Sequence, residues 1–128
     1  MMQSNSLWAP MMSREYCDHL IDLLAPWGEV TAKAMFGGYG MYRQGQIFAI
    51  LVDDTLYFKV DDQTQADYEA TGSEPFTYEA KGKHVAMSYW QVPLDALDDP
   101  DMLLSWAEKA YQAARRSKNK KKLKASKR

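Results

Sequence analysis

The feature that most constrains the fold is a series of short apolar segments between positions 30 and 60, each separated from the next by turn-forming residues. From Val30 to Phe36, apolar residues alternate with polar or small ones, the two-residue period of a half-buried strand. The turn-forming pairs are Gly37-Gly38, Gln44-Gly45 and Asp53-Asp54. Because short turns join antiparallel neighbours, the pattern predicts a meander of about four strands. The segment Ile47–Val52 is apolar on both faces, which places it at the centre of the sheet.

Helical spacing appears before and after this meander. Ser13 is a suitable N-cap, and the apolar residues that follow it recur on one helical face until Pro26 and Gly28 end the pattern. A shorter helix is predicted over residues 62–71, with Asp62 as its cap and Gly72 just past its end.

Two further strands and a long helix complete the predicted domain. The strands cover residues 76–80 and 84–92, and residues 93–97 form a helical turn. The last helix has the clearest start, since Asp99 can cap it and Pro100 suits its first position. The order α-β-β-β-β-α-β-β-α predicts a two-layer α+β domain, in which helices cover one face of an antiparallel sheet.

Charge divides the 128-residue chain into an acidic body and a basic tail. The net charge is −1, yet residues 115–128 hold nine of the 16 basic residues and no acid. The remainder therefore has seven basic residues against 17 acidic ones, a net charge of −10. We assign residues 1–12 to a flexible lead-in, residues 13–114 to the domain and residues 115–128 to the tail. The basic residues of the tail are Arg115, Arg116, Lys118, Lys120, Lys121, Lys122, Lys124, Lys127 and Arg128.

The tail has three interpretations. Its cations can neutralise phosphates and give salt-dependent nucleic-acid binding, it can be a solvated tail that binds nothing, or it can fold back on the acidic body. It contains no interleaved aromatic residues, so stacking on single strands is not predicted. Its backbone either extends the last helix or stays disordered.

Several chemistries lack the residues they require. Cys17 is the single cysteine, which excludes an intramolecular disulfide and suits a reducing cytoplasm. The two histidines, His19 and His84, have no partners at zinc-ligand spacing. No signal peptide, membrane span or catalytic set is recognisable, so we expect a cytoplasmic protein that is not an enzyme and binds no cofactor or metal.

Four stretches in the same order resemble the TfoX (Sxy) N-terminal domain: Met35–Tyr42, Asp54–Asp61, Glu74–Tyr78 and Met87–Pro93. The resemblance covers roughly residues 14–114 and implies an α+β fold of the secretion-chaperone-like type. It also implies a bacterial regulator of natural competence that works with a cyclic-AMP receptor protein as a transcriptional co-activator. TfoX regulators carry a second, helical domain, in place of which this sequence has the lysine-rich tail. The resemblance predicts a transcription protein as the partner. Whether the chain also forms a homodimer is left open.

The glycine-rich run from Met35 to Gly40 has three interpretations. Its glycines can supply the positive φ angles of a tight turn and let backbones pack closely, its backbone N–H groups can cradle an anion, or the run can form a protein-contact surface. The residues of that candidate surface are Met35, Phe36, Gly37, Gly38, Tyr39 and Gly40. A separate hypothesis for the function of the domain is a small-molecule pocket. The aromatic residues that the sequence supplies for it are Tyr57, Phe58, Tyr78, Tyr89 and Trp90.

Overall fold

The computed structural model describes the backbone of residues 5–35 and 38–126, and the side chains of residues 14–35, 38–77, 81–82 and 87–119. The helices are α1 (Asn5–Leu24), α2 (Gln65–Ala70), α3 (Leu94–Leu97) and α4 (Pro100–Ser126). The strands are β1 (Val30–Met35), β2 (Gly38–Arg43), β3 (Gln46–Val52), β4 (Thr55–Lys59), β5 (Pro75–Ala80) and β6 (Lys83–Gln91). The six strands form one antiparallel sheet in the order β1-β2-β3-β4-β6-β5. This arrangement confirms the predicted α+β class, element order and meander, with β3 inside the sheet.

Two predicted helix starts are wrong. Helix α1 begins at Asn5, so Ser13 lies within it rather than at its N-cap, and residues 5–12 of the predicted lead-in are helical. Helix α2 begins after Thr64 instead of Asp62. The carboxylate of Asp61 accepts hydrogen bonds from the backbone amides of Gln63 and Thr64, at 3.0 and 3.2 Å, and organises the approach to that helix. The hydrogen bonds to the amides before α2 are therefore made by Asp61, the residue next to the predicted cap.

A β-bulge in β3 decides which apolar side chains reach each face of the sheet. Met41 of β2 pairs with Ala49, whereas the next residue, Tyr42, pairs with Ile47, so Phe48 is the extra residue. Phe48 and Ala49 are both fully buried in the core. Because the bulge shifts the alternation, Ile47 lies on the same face as Ile50, opposite the core.

The described helices pack on one face of the sheet. The core contains Cys17, Leu20 and Leu24 of α1, together with a continuous stripe of α4, Leu103 to Ala114. These helices cover the sheet residues Met41, Phe48, Ala49, Leu51, Leu56 and Phe58. Among the described residues, no helix packs over the centre of the opposite face.

An aromatic and charged cluster joins α4 to the end of β2. The Arg43 guanidinium lies between the Trp27 and Tyr111 rings, 4.4 and 4.7 Å from their centroids. The Trp27 indole donates a hydrogen bond to the Glu108 carboxylate at 2.8 Å. The hydrogen bond from Gln112, followed by this one from Trp27, lowers the pKa of Glu108. These contacts tie α4 to Trp27 and to the last residue of β2.

We expect Tyr68→Phe to raise the free energy of unfolding by about 1 kcal/mol, because it removes a buried polar group that has no partner. The Tyr68 side chain is fully buried, its hydroxyl makes no hydrogen bond within the described residues, and burial raises its pKa. Its ring packs edge-on against Trp106, with centroids 4.6 Å apart, and that contact survives the substitution. Urea denaturation measures the change.

The matched control is Tyr111→Phe. The Tyr111 hydroxyl donates to Gln44 Oε1 at 3.2 Å, so its removal should lower stability by about 1 kcal/mol. Equal losses in the two variants would contradict the interpretation of Tyr68.

Candidate functional site

The helix-free face of the sheet carries an apolar cleft with a volume of about 440 Å³. We call it the apolar cleft. Its lining residues are Met35, Tyr39, Ile47, Ile50, Val52, Phe76, Met87 and Tyr89. None of these side chains carries a charge, so the cleft suits an apolar group rather than an ion.

Three structural units build the apolar cleft. Strand β3 supplies the floor, the β1–β2 hairpin contributes Met35 and Tyr39, and the β5–β6 hairpin contributes Phe76 and Met87. Gly40 also matters: a Cβ at this position would lie 2.5 Å from Met35 Sδ and 3.0 Å from Ile47 Cδ1. The absent side chain at Gly40 leaves room for both of these lining residues.

The structure requires a glycine at position 38 for a different reason from the predicted positive φ. Gly38 does not adopt a positive φ, and it pairs with Met35 within the β1–β2 ladder. A Cβ on Gly38 would instead collide with the carbonyl oxygen of Leu51 and approach Val52 Cα to 3.3 Å. The predicted positive φ is wrong at Gly38, whereas the close backbone packing is confirmed. Phe36 and Gly37 lie outside the described residues.

The candidate contact surface and the apolar cleft overlap in part. Met35 and Tyr39 line the cleft, and Gly40 shapes it from beneath. Residues from β3, β5 and β6 complete the lining; among them the sequence analysis named Tyr89 as a pocket residue, but with other neighbours. The bulge at Phe48, which turns Ile47 toward the cleft, was the missing information.

The predicted aromatic pocket does not form as a unit. Tyr89 lines the apolar cleft, but Phe58 is fully buried in the core and Trp90 packs against that core from the helical side. Tyr57 stacks edge-on with Phe76, with ring centroids 5.0 Å apart. The side chain of Tyr78 lies outside the described residues.

A second cleft, of about 370 Å³, lies where the end of α4 passes the β2–β3 turn. We call it the basic cleft. Its lining residues are Tyr42, Gly45, Gln46, Ile47, Lys59, Tyr89, Ala114, Ser117 and Lys118. Burial, reinforced by Tyr42, raises the pKa of Tyr89 to about 12, so its hydroxyl remains protonated at neutral pH.

The cations at the start of the predicted tail occupy different environments. Arg116 forms an ion pair with Asp61, whereas Arg115 lies 5.9 Å from the centroid of the Tyr111 ring. Lys118 lines the basic cleft. Beyond residue 119, α4 continues as a helix to Ser126, which agrees with one of the two predicted states of the tail. The side chains of Lys120, Lys121, Lys122 and Lys124, and all of Lys127 and Arg128, lie outside the described part of the chain.

The described residues considered as metal ligands or nucleophiles do not come together in one site. Within the described residues, no three His, Cys, Asp or Glu side chains converge as metal ligands. Cys17 is buried, and burial raises the pKa of its thiol, while His19 stacks on Tyr16 at 6.5 Å. The side chain of His84 is not among those described. In the same part of the chain, no helix has the length and apolar character needed to cross a bilayer.

Comparison with known proteins gives this geometry a family context. A family model for the TfoX N-terminal domain matches residues 22–114, which include the whole sheet and the buried part of α4. The chain belongs to the TfoX N-terminal domain family. Both clefts involve residues inside this matched region, but Ser117 and Lys118 lie beyond it.

A relative of this TfoX-family chain is the DNA transformation protein TfoX1 of Aliivibrio fischeri (strain ATCC 700601 / ES114). The two sequences are 28% identical over 101 residues, which amount to 79% of this chain and 48% of the relative. The chain therefore spans about half the length of that relative.

Proposed function

We propose that this TfoX-family chain is a non-enzymatic regulatory module that acts by protein contacts with the transcription machinery. The family match and the name of the Aliivibrio fischeri relative support a regulator of TfoX type. The proposal that the chain acts through protein contacts rests on the apolar cleft, which lies on the face of the sheet that no described helix covers.

The lining of the cleft favours a protein partner over a polar metabolite. Its aliphatic, methionine and aromatic side chains offer no charged group to orient a small polar ligand. Methionines adapt to different apolar partners, and Met35 and Met87 stand on opposite sides of the floor. The proposed occupant is an apolar side-chain cluster on a transcription protein, with a cyclic-AMP receptor protein and RNA polymerase as the partners to test.

We expect Val52→Lys to weaken binding to the transcription partner at least about tenfold, because it places a charge in an apolar interface. Binding of the purified chain to purified cyclic-AMP receptor protein and to RNA polymerase, measured by surface plasmon resonance, gives the comparison. Val52 lines the cleft and is only partly buried in the free chain, which favours retention of the fold.

The matched control is Leu94→Lys, which introduces the same charge at an exposed residue of α3, 70% accessible and outside the apolar cleft. Its binding should remain within about twofold of the unmodified chain, as expected for a substitution outside the interface. Absence of binding by the unmodified chain to both proteins would reject the proposed partners. Equal losses in the two variants would reject the cleft as the contact surface.

A further inference from the structure

The basic cleft has a composition suited to an anion. Lys59 and Lys118 are the charged residues among its lining, and no carboxylate belongs to that lining. Ser117 and Tyr89 add hydroxyl groups, and the Tyr89 hydroxyl keeps its proton at neutral pH. Lys59 is positioned by a hydrogen bond from its Nζ to Ser88 Oγ at 2.6 Å, and its ammonium lies 5.3 Å from the Tyr89 ring centroid.

Helix α4 is held so that one side faces this cleft. Ala114, Ser117 and Lys118 follow the three- and four-residue helical spacing that places residues on a single side. Arg116 projects elsewhere and binds Asp61, which anchors the helix without using a cation of the cleft. Positions 121 and 122 follow Lys118 at the same spacing, and both are lysines. A line of positive positions therefore leads away from the cleft along α4.

The sheet contributes the aromatic residue that the tail lacks. Tyr42 lines the basic cleft and is partly exposed, and the Lys33 ammonium lies 5.2 Å from its ring centroid. Combined cations and an accessible ring are the elements with which proteins hold a single nucleic-acid strand, by phosphate contacts and base stacking. Its volume of about 370 Å³ lies at the lower end of the range of small-ligand sites and is compatible with a single nucleotide unit.

We propose that the basic cleft binds a single nucleic-acid strand, with phosphate groups at Lys59 and Lys118 and a base against Tyr42. The site is assembled from β2, β4, β6 and α4, so it differs from a tail that attracts phosphates by charge alone. The basic cleft shares Ile47 and Tyr89 with the apolar cleft, but the residues proposed to hold the strand, Tyr42, Lys59 and Lys118, do not line the apolar cleft.

The test measures binding of a fluorescein-labelled oligothymidylate of about 12 nucleotides by fluorescence anisotropy, at several salt concentrations. The double variant Lys59→Gln/Lys118→Gln should bind at least about tenfold more weakly at low salt, with a salt slope smaller by about 1.4, because two phosphate contacts are lost. Tyr42→Leu should weaken binding about fivefold without changing the salt slope, since stacking displaces no counterions.

The control variant Lys81→Gln/Lys109→Gln removes the same charge away from the cleft. Lys81 is exposed in a turn, and Lys109 pairs with Asp67 on the surface. This control should lose less than about threefold, because its charges act only at long range. Equal weakening of the two double variants would overturn the proposal. So would duplex DNA of the same length binding as tightly as the single strand, or loss of all binding on deletion of residues 120–128 with no effect of the cleft variants.

Discussion

Gly38→Ala should lower the free energy of unfolding by about 3 kcal/mol, the upper part of the range for overpacking a tightly packed site. The added methyl group would meet the Leu51 carbonyl oxygen, and Val52 Cα would lie 3.3 Å from it. Both atoms belong to the backbone of β3 at the centre of the sheet, so neither can rotate away. Relief requires β2 and β3 to separate, which weakens their ladder.

Gly40→Ala is the control for this prediction, because it adds the same methyl group to the same strand. There the close neighbours are Met35 Sδ at 2.5 Å and Ile47 Cδ1 at 3.0 Å, both at the ends of side chains that can adopt other rotamers. We expect a loss of about 1 kcal/mol and a smaller apolar cleft. Urea denaturation of the two variants measures the difference, and a Gly40→Ala loss equal to that of Gly38→Ala would contradict the backbone explanation.

These two glycines illustrate how far sequence reasoning reached. The pair Gly37-Gly38 locates the change from β1 to β2, because glycine between two alternating segments is a strong local signal, but Gly38 itself belongs to β2 and pairs with Met35. Local pattern cannot reveal that the Leu51 carbonyl lies against Gly38, since that contact depends on how β2 registers against β3. The order of helices and strands could be predicted because it follows from the local spacing of apolar residues. The contact at Gly38 could not, because it depends on the register between two strands.

The candidate site shows the same limit. Met35 and Tyr39 were identified from the glycine-rich run, and both line the apolar cleft. Ile47 and Val52 belong to the segment that was predicted, because it is apolar on both faces, to lie at the centre of the sheet. The position of β3 inside the sheet confirms this, but the pattern does not say which residues face away from the helices. The bulge at Phe48 changes that assignment for every residue before it, and bulges of this kind have no sequence signature as clear as a glycine turn.

We expect Asp61→Asn to lower the free energy of unfolding by about 2 kcal/mol at neutral pH, because it breaks a charge-assisted bond and leaves Arg116 without its partner. Arg116 Nε donates to Asp61 Oδ2 at 2.5 Å, and its Nη2 donates to Oδ1 at 3.1 Å. The Asp61 side chain is only 13% exposed, so solvent screens this pair weakly. A double-mutant cycle with Arg116→Gln should give a coupling of about 1 kcal/mol.

The same pair predicts a pH dependence with a defined sign. The hydrogen bond from Arg116 lowers the pKa of Asp61, with further help from the Arg116 charge and the amides of Gln63 and Thr64, against an opposing effect of burial. A lowered folded-state pKa means that the carboxylate stabilises the fold fully above the unfolded pKa of about 3.9. That contribution disappears as the pH falls through the lower folded-state value. The stability gap between the unmodified chain and Asp61→Asn should therefore close in acid.

Asp67→Asn is the control for Asp61→Asn, because Asp67 also pairs with a cation of α4. The Lys109–Asp67 pair has side chains 43% and 46% exposed, so its loss should change stability by less than about 0.5 kcal/mol. A comparable loss in both variants would contradict the assigned role of burial. If Asp61→Asn behaves as expected, Arg116 belongs energetically to the folded domain, although the sequence places it in the tail. Deletion of residues 115–128 would then remove a structural ion pair together with the cations, whereas deletion of residues 120–128 retains Arg116 and tests the tail alone.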